Sequence, residues 1–205
     1  MLKSSSQRGD TLVEVLIAVT IFSAVAVGAI TVMSRGISVA QSSLELNLVR
    51  NQIDTQAELL RHINSVELGS THNSASGTES TWKKAISKTV AEASQYDDIN
   101  SFSQCKVAGV DGVGVPSHAF FIDPSSGRVV RGQDKFSVPG TFAQVYPGGK
   151  SEMVWIEAVY DENKQNQDRL TTSKYYDFHI RACWDSPGSG GVMKIGTIVR
   201  LYAPN

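Results

Sequence analysis

The sequence predicts an α+β fold: a long N-terminal helix whose second half packs on an antiparallel β-sheet. Three observations carry that prediction. No proline precedes Pro116, so a helix can run unbroken through the first third of the chain. Within that third an uncharged apolar stretch gives way to an amphipathic one. Beyond Cys105 the period changes, and apolar residues alternate with polar ones as in half-buried strands. The 205 residues allow one ordinary domain with something appended. With 19 Lys+Arg against 20 Asp+Glu, the chain has no cationic excess to release phosphate counterions, which argues against direct nucleic-acid binding. The nearly balanced charge and a hydrophobic content of 41% exclude a disordered chain, a collagen-like chain and a polytopic membrane protein.

Residues 1–9 are polar, with Lys3 and Arg8 as their only charges. The apolar run that follows extends to Met33, and twenty uncharged residues separate Glu14 from Arg35. As a helix, at about 1.5 Å per residue, those twenty cover about 30 Å, the hydrocarbon thickness of a bilayer. The basic leader implies a cytoplasmic N-terminus and an external C-terminus. A cleaved secretory signal needs an apolar region of only about 7–15 residues, so this run is too long for one. A plain signal anchor fits the length but leaves Glu14 unexplained. A carboxylate in a membrane helix costs up to about 2.5–3.5 kcal/mol at full depth, so it normally has a partner or a task.

The residues Arg8-Gly9-Asp10-Thr11-Leu12-Val13-Glu14-Val15-Leu16-Ile17 resemble the processing site of type IV pilins and pseudopilins. The resemblance covers about the first 35 residues. It implies a leader of residues 1–9 that prepilin peptidase removes after Gly9, and N-methylation of the new terminus at Asp10. Glu14, fifth in the mature chain, is implied to be the subunit-docking residue. Asp10 stands where the family usually has Phe or Met, and Thr31 where a helix-bending proline is common. The family also implies a structural role, as a subunit of a surface filament serving adhesion, motility, DNA uptake or secretion, and Asp10 with the 137-residue external portion (69–205) points to a minor pilin. Its implied partners are other pilin subunits, an assembly platform protein and an ATPase, with the cytoplasmic membrane holding the precursor and the pilus or pseudopilus holding the mature form. A non-polymerising, signal-anchored extracellular binding module is the alternative.

The expected organisation is a leader at 1–9, a transmembrane or filament-core helix at 10–33, an amphipathic continuation at 34–68 and an external α+β domain at 69–205. In the continuation Ile37, Ala40, Leu44, Leu48, Ile53, Ala57, Leu60 and Ile63 recur at mostly three- and four-residue steps and predict the buried face. Gln41, Asn47, Gln56 and Arg61 are expected on other faces. The helix is expected over about Leu12–Val66, with Gly69 as its stop. Gly28 and Gly36 are weak points, each costing up to about 1 kcal/mol relative to Ala.

After the polar stretch 69–81, Trp82, Ile86, Val90 and Ala93 suggest one short helix. Ala119–Asp123 and Arg128–Arg131 flank Pro124-Ser-Ser-Gly127 and read as a hairpin. Glu152–Tyr160, Tyr175–Trp184 and Val192–Tyr202 are strand-like, with Tyr176, Phe178, Ile180, Ala182 and Trp184 sharing one buried face. This helix-on-sheet roll is also the fold that the pilin resemblance implies. Cys105 and Cys183 are the only cysteines, 78 positions apart and both on the external side. An exported chain with an even cysteine count favours a disulfide over two free thiols. In the chain-entropy relation such a bridge is worth about 4–5 kcal/mol.

Catalytic signatures are lacking. His62, His72, His118 and His179 are scattered, with no metal-ligand spacing, so no metal or cofactor is expected. There is no nucleophile elbow and no Walker-type lysine, and assembly energy must come from a separate ATPase. Gly109-Val-Asp-Gly-Val-Gly114 is expected to be a loop, and so is Asp161–Asp168. Trp82, Trp155 and Trp184 are expected in the core, and the chain is not expected to be an enzyme.

Overall fold

The computed structural model describes residues 10–69, 80–93, 107–108, 112–113, 115–137, 139–162, 174–186 and 191–203. The chain divides into two units, one ending at Gln41 and the other beginning at Ser42, and helix α1 (Asp10–Gly69) contributes to both. The expected helix is therefore present, from two residues earlier and as far as the expected glycine.

In the second unit an antiparallel sheet of five strands lies against the later part of α1. Its strands are β3 (Phe120–Ile122), β4 (Val129–Arg131), β8 (Val154–Val159), β9 (Tyr175–Ser186) and β10 (Gly191–Tyr202), in spatial order β10-β9-β8-β3-β4. The two longest strands pair along their whole length, from Gly191 opposite Ser186 to Tyr202 opposite Tyr175. Gly196 lets them approach, because a Cβ there would sit 2.9 Å from the Ile180 carbonyl oxygen. The expected hairpin joins β3 to β4. Its turn is held by the Asp123 carboxylate, which accepts from the Ser125 N–H and the Ser125 and Ser126 hydroxyls, while Gly127 supplies a φ of 65°. Phe178, Ile180, Ala182 and Trp184 are fully buried, as alternation predicted; Tyr176 is half-buried against Trp82 and Tyr160.

Several elements differ from expectation. The short helix α2 covers only Thr81–Ile86. Ser80 caps its start, and the Arg131 guanidinium donates to the Lys84 and Ala85 carbonyls at its end. Val90 instead forms a parallel bridge with Val159, accepting from the Tyr160 N–H and donating to the Ala158 carbonyl. Gly112 and Val113, expected in a loop, form β2 (Gly112–Val113), antiparallel to β1 (Val107–Ala108). A second sheet was not foreseen: β5 (Phe136–Ser137), β6 (Gln144–Tyr146) and β7 (Lys150–Glu152), in order β5-β7-β6, with β5 and β7 parallel. Met153, buried with a φ of 49°, makes the corner between β7 and β8, so the expected strand over Glu152–Tyr160 is two strands in two sheets.

The buried face of α1 also differs. Leu44 is 61% and Leu48 36% exposed, while Glu45 and Val49 occupy the buried positions beside them. Gln56, expected on a polar face, is 1% exposed. The reason lies in the sheet. β3 and β8 are paired at one position only, Phe120 opposite Ile156, which leaves the Ile122 backbone without a ladder partner on that side. Gln56 fills the place of one: its Nε2 donates to the Ile122 carbonyl and its Oε1 accepts from the Ile122 N–H, both at 2.8 Å. A buried amide with both ends satisfied can occupy a core face that an apolar residue there would leave with orphaned backbone groups.

Candidate functional site

The described part of the first unit is the N-terminal stretch of α1. Its large apolar side chains, from Leu12 through Val32, stand exposed on all sides of the helix. The hydroxyls within it are satisfied by the helix itself: Thr20 donates to the Ile17 carbonyl, Ser23 to Val19 and Thr31 to Val27. That arrangement suits an apolar medium, where an unsatisfied hydroxyl is costly. The helix is long and apolar enough to cross a membrane, and its most apolar window has nothing buried within the chain.

Asp10 opens α1, and Glu14 lies one turn further on, so the two positions fall on one helical face. Gly9 lies outside the described residues, as do Cys105 and His72. Cys183 is fully buried in β9, and no free cysteine occurs among the described residues. Trp82, Trp155 and Trp184 are core residues, as expected. Of the loop at Asp161–Asp168, all but the first two residues lie outside the described part.

Away from the N-terminal helix, one polar cluster stands out that sequence reasoning passed over. Glu157, fully buried in β8, accepts from Trp155 Nε1 at 3.2 Å and Arg181 Nη1 at 3.0 Å, and its other oxygen lies 2.9 Å from His118 Nε2. Arg131 extends the connection, donating from one guanidinium nitrogen to the His118 carbonyl and from the other to the end of α2. The signal was a lone acid inside an otherwise apolar strand, Val154-Trp-Ile-Glu-Ala-Val159. Among the described residues no group of three or more His, Cys, Asp or Glu is placed to hold a metal ion.

His179, beside this cluster, provides a pH-dependent term. Burial and the Arg181 cation hold its imidazole below the usual histidine range, against opposing pulls from Glu157 and Asp177. The folded chain therefore takes up that proton less readily than the unfolded chain, and stability falls as pH drops through about 6.5, the ordinary histidine value. His179→Gln is expected to flatten the stability profile between about pH 7 and 5, measured by urea midpoints. An unchanged slope would assign the acid loss to other groups.

A helix with an exposed apolar start and an acid one turn from its first residue, together with a helix-on-sheet domain, makes an α+β chain whose N-terminal helix is long and apolar enough to cross a membrane. Residues 4–30 match the family model of the prokaryotic N-terminal methylation motif, the signal motif of type IV pilins and pseudopilins. That is the signal motif of type IV pilin-like precursors, which prepilin peptidase processes. No curated protein and no solved structure matches the chain.

Proposed function

We propose that the chain is a structural, non-enzymatic subunit of a type IV pilus-like surface filament, in the role of a minor pilin. The observation that carries this reading is the match at residues 4–30, together with the spacing of Gly9, Asp10 and Glu14 at the head of an exposed apolar helix. The precursor sits in the cytoplasmic membrane with residues 69–205 outside. Prepilin peptidase cuts between Gly9 and Asp10, and the new amino group of Asp10 is methylated. Residues 10–33 then leave the bilayer for the filament core, and 34–68 carry the helix into the external domain. An assembly platform protein and an ATPase drive the transfer. The finished filament serves adhesion, motility, DNA uptake or secretion.

Docking has a physical basis. Cleavage leaves a positive α-amino group at the start of a helix whose dipole adds further positive charge there. In a water-poor layer a carboxylate on the neighbouring subunit neutralises that charge far more effectively than in water. Glu14 is the one acid in the apolar segment after Asp10 and supplies that carboxylate.

The test is the mass of the N-terminal peptide from filaments sheared off the cell surface. A peptide beginning at Asp10 with one added methyl is expected. A chain beginning at Met1 and confined to membranes would instead support an anchored binding module. We further propose a Cys105–Cys183 bridge. Alkylation without reduction should leave both cysteines of the exported protein unmodified, and alkylation after reduction should modify both.

A further inference from the structure

We infer that four polar side chains on the buried face of α1 act as a register lock, fixing where along its own axis the helix sits on the two sheets. The four are Glu45, Gln52, Gln56 and Asn64. Glu45 accepts from Trp184 Nε1 on β9 at 3.1 Å, and Gln52 accepts from the Val145 N–H on β6 at 3.3 Å. Gln56 takes both backbone groups of Ile122 on β3, and Asn64 donates to the Tyr202 carbonyl on β10 at 3.0 Å. The four contacts span about 28 Å of helix and reach four different strands. An axial shift of the helix must break these contacts together, and a one-turn slip does not restore the full set.

The apolar residues on the same face set the register only in part. Val49, Ile53, Ala57, Leu60 and Ile63 are buried at steps of three or four. A four-residue slip puts Ile53, Ala57, Arg61, Asn64 and Glu67 in their places in one direction, and Glu45, Val49, Ile53, Gln56 and Leu59 in the other, so two or three of the five places stay apolar. The polar set adds a directional constraint to that packing. A one-turn slip brings Val49, Gln56, Leu60 and Leu68 to the four places in one direction, and Gln41, Leu48, Gln52 and Leu60 in the other. At least two contacts are then lost either way, and buried strand groups are left unsatisfied. A single polar residue in a repeating apolar seam is a known means of specifying register at some expense of stability. The inference is independent of whether the chain enters a filament.

The experiment uses the full-length chain in detergent, with spin labels on non-natural side chains at the exposed positions 54 and 185. The parent chain is expected to give one distance. Glu45→Leu combined with Gln56→Leu is expected to add a second population displaced by several ångströms, whereas Glu45→Gln, which keeps an acceptor for Trp184, leaves one. A single unchanged distance in the double variant would overturn the inference and assign register to apolar packing. Gln52→Leu with Asn64→Leu covers the case in which the first double variant does not fold. A second population there supports the lock; one unchanged distance, or loss of the fold, overturns it.

Discussion

Glu14→Ala is expected to insert, fold and be processed normally, yet to be lost from surface filaments. The substitution removes a charge from an exposed helical position in the first unit, so the unit that begins at Ser42 has no reason to change. Insertion should improve slightly, because a membrane helix gains by losing a carboxylate. What disappears is the only acid in the apolar segment able to meet a neighbour's α-amino group. Loss of a charge pair formed away from water amounts to several kcal/mol, enough to reduce incorporation by well over tenfold. The measurement is the amount of this chain in sheared filaments when the variant is its sole source, set against its amount in the membrane. Normal recovery would remove Glu14 from the docking step. Glu14→Gln separates charge from shape, and is expected to fail as the alanine variant does.

The second large effect belongs to the domain. Glu157→Ala is expected to lower stability by about 3–5 kcal/mol, because it leaves Arg181 buried without its carboxylate. Trp155 Nε1 and His118 lose a partner as well, which loosens the turn that carries His118 beside Arg131. Glu157→Gln keeps the shape and an acceptor oxygen and should lose less. Urea unfolding followed by tryptophan fluorescence reads both variants, since Trp155 reports from within the cluster. A loss under about 1 kcal/mol for the alanine variant would mean that the cluster is not a net support of the fold, as some buried ion pairs are not.

What was legible in the sequence had a local cause. The reach of α1 followed from missing prolines and helical spacing. The β3–β4 turn followed from Asp123, Pro124 and Gly127, and the buried face of β9 from the two-residue spacing of Tyr176, Phe178, Ile180, Ala182 and Trp184. The N-terminal motif was legible for the same reason: its spacing lies within one short segment, and the apolar side chains that follow it stay exposed among the described residues. The shorter elements had no such support. Strands of two or three residues, such as β5 and β7, carry too few positions to establish a period, and their parallel pairing depends on β6, which lies between them in sequence and folds back on β7.

Burial on α1 was decided by its partners. Leu44 and Leu48 follow the apolar spacing, yet Glu45 and Gln56 hold the core side. Hydrophobic pattern ranks residues by their preference for leaving water, but it cannot register a polar group waiting on the other side of the interface. Trp184 Nε1, the Ile122 backbone and the Tyr202 carbonyl are such groups, and they come to face α1 only after the sheet has formed. Glu157 follows the same logic: alone in an apolar strand it reads as an exception, and only the fold brings Arg181 and His118 to it. Periodicity and turn chemistry act between near neighbours and are written in order along the chain. The satisfaction of buried polar groups acts between residues tens of positions apart, and the tertiary structure alone brings those together.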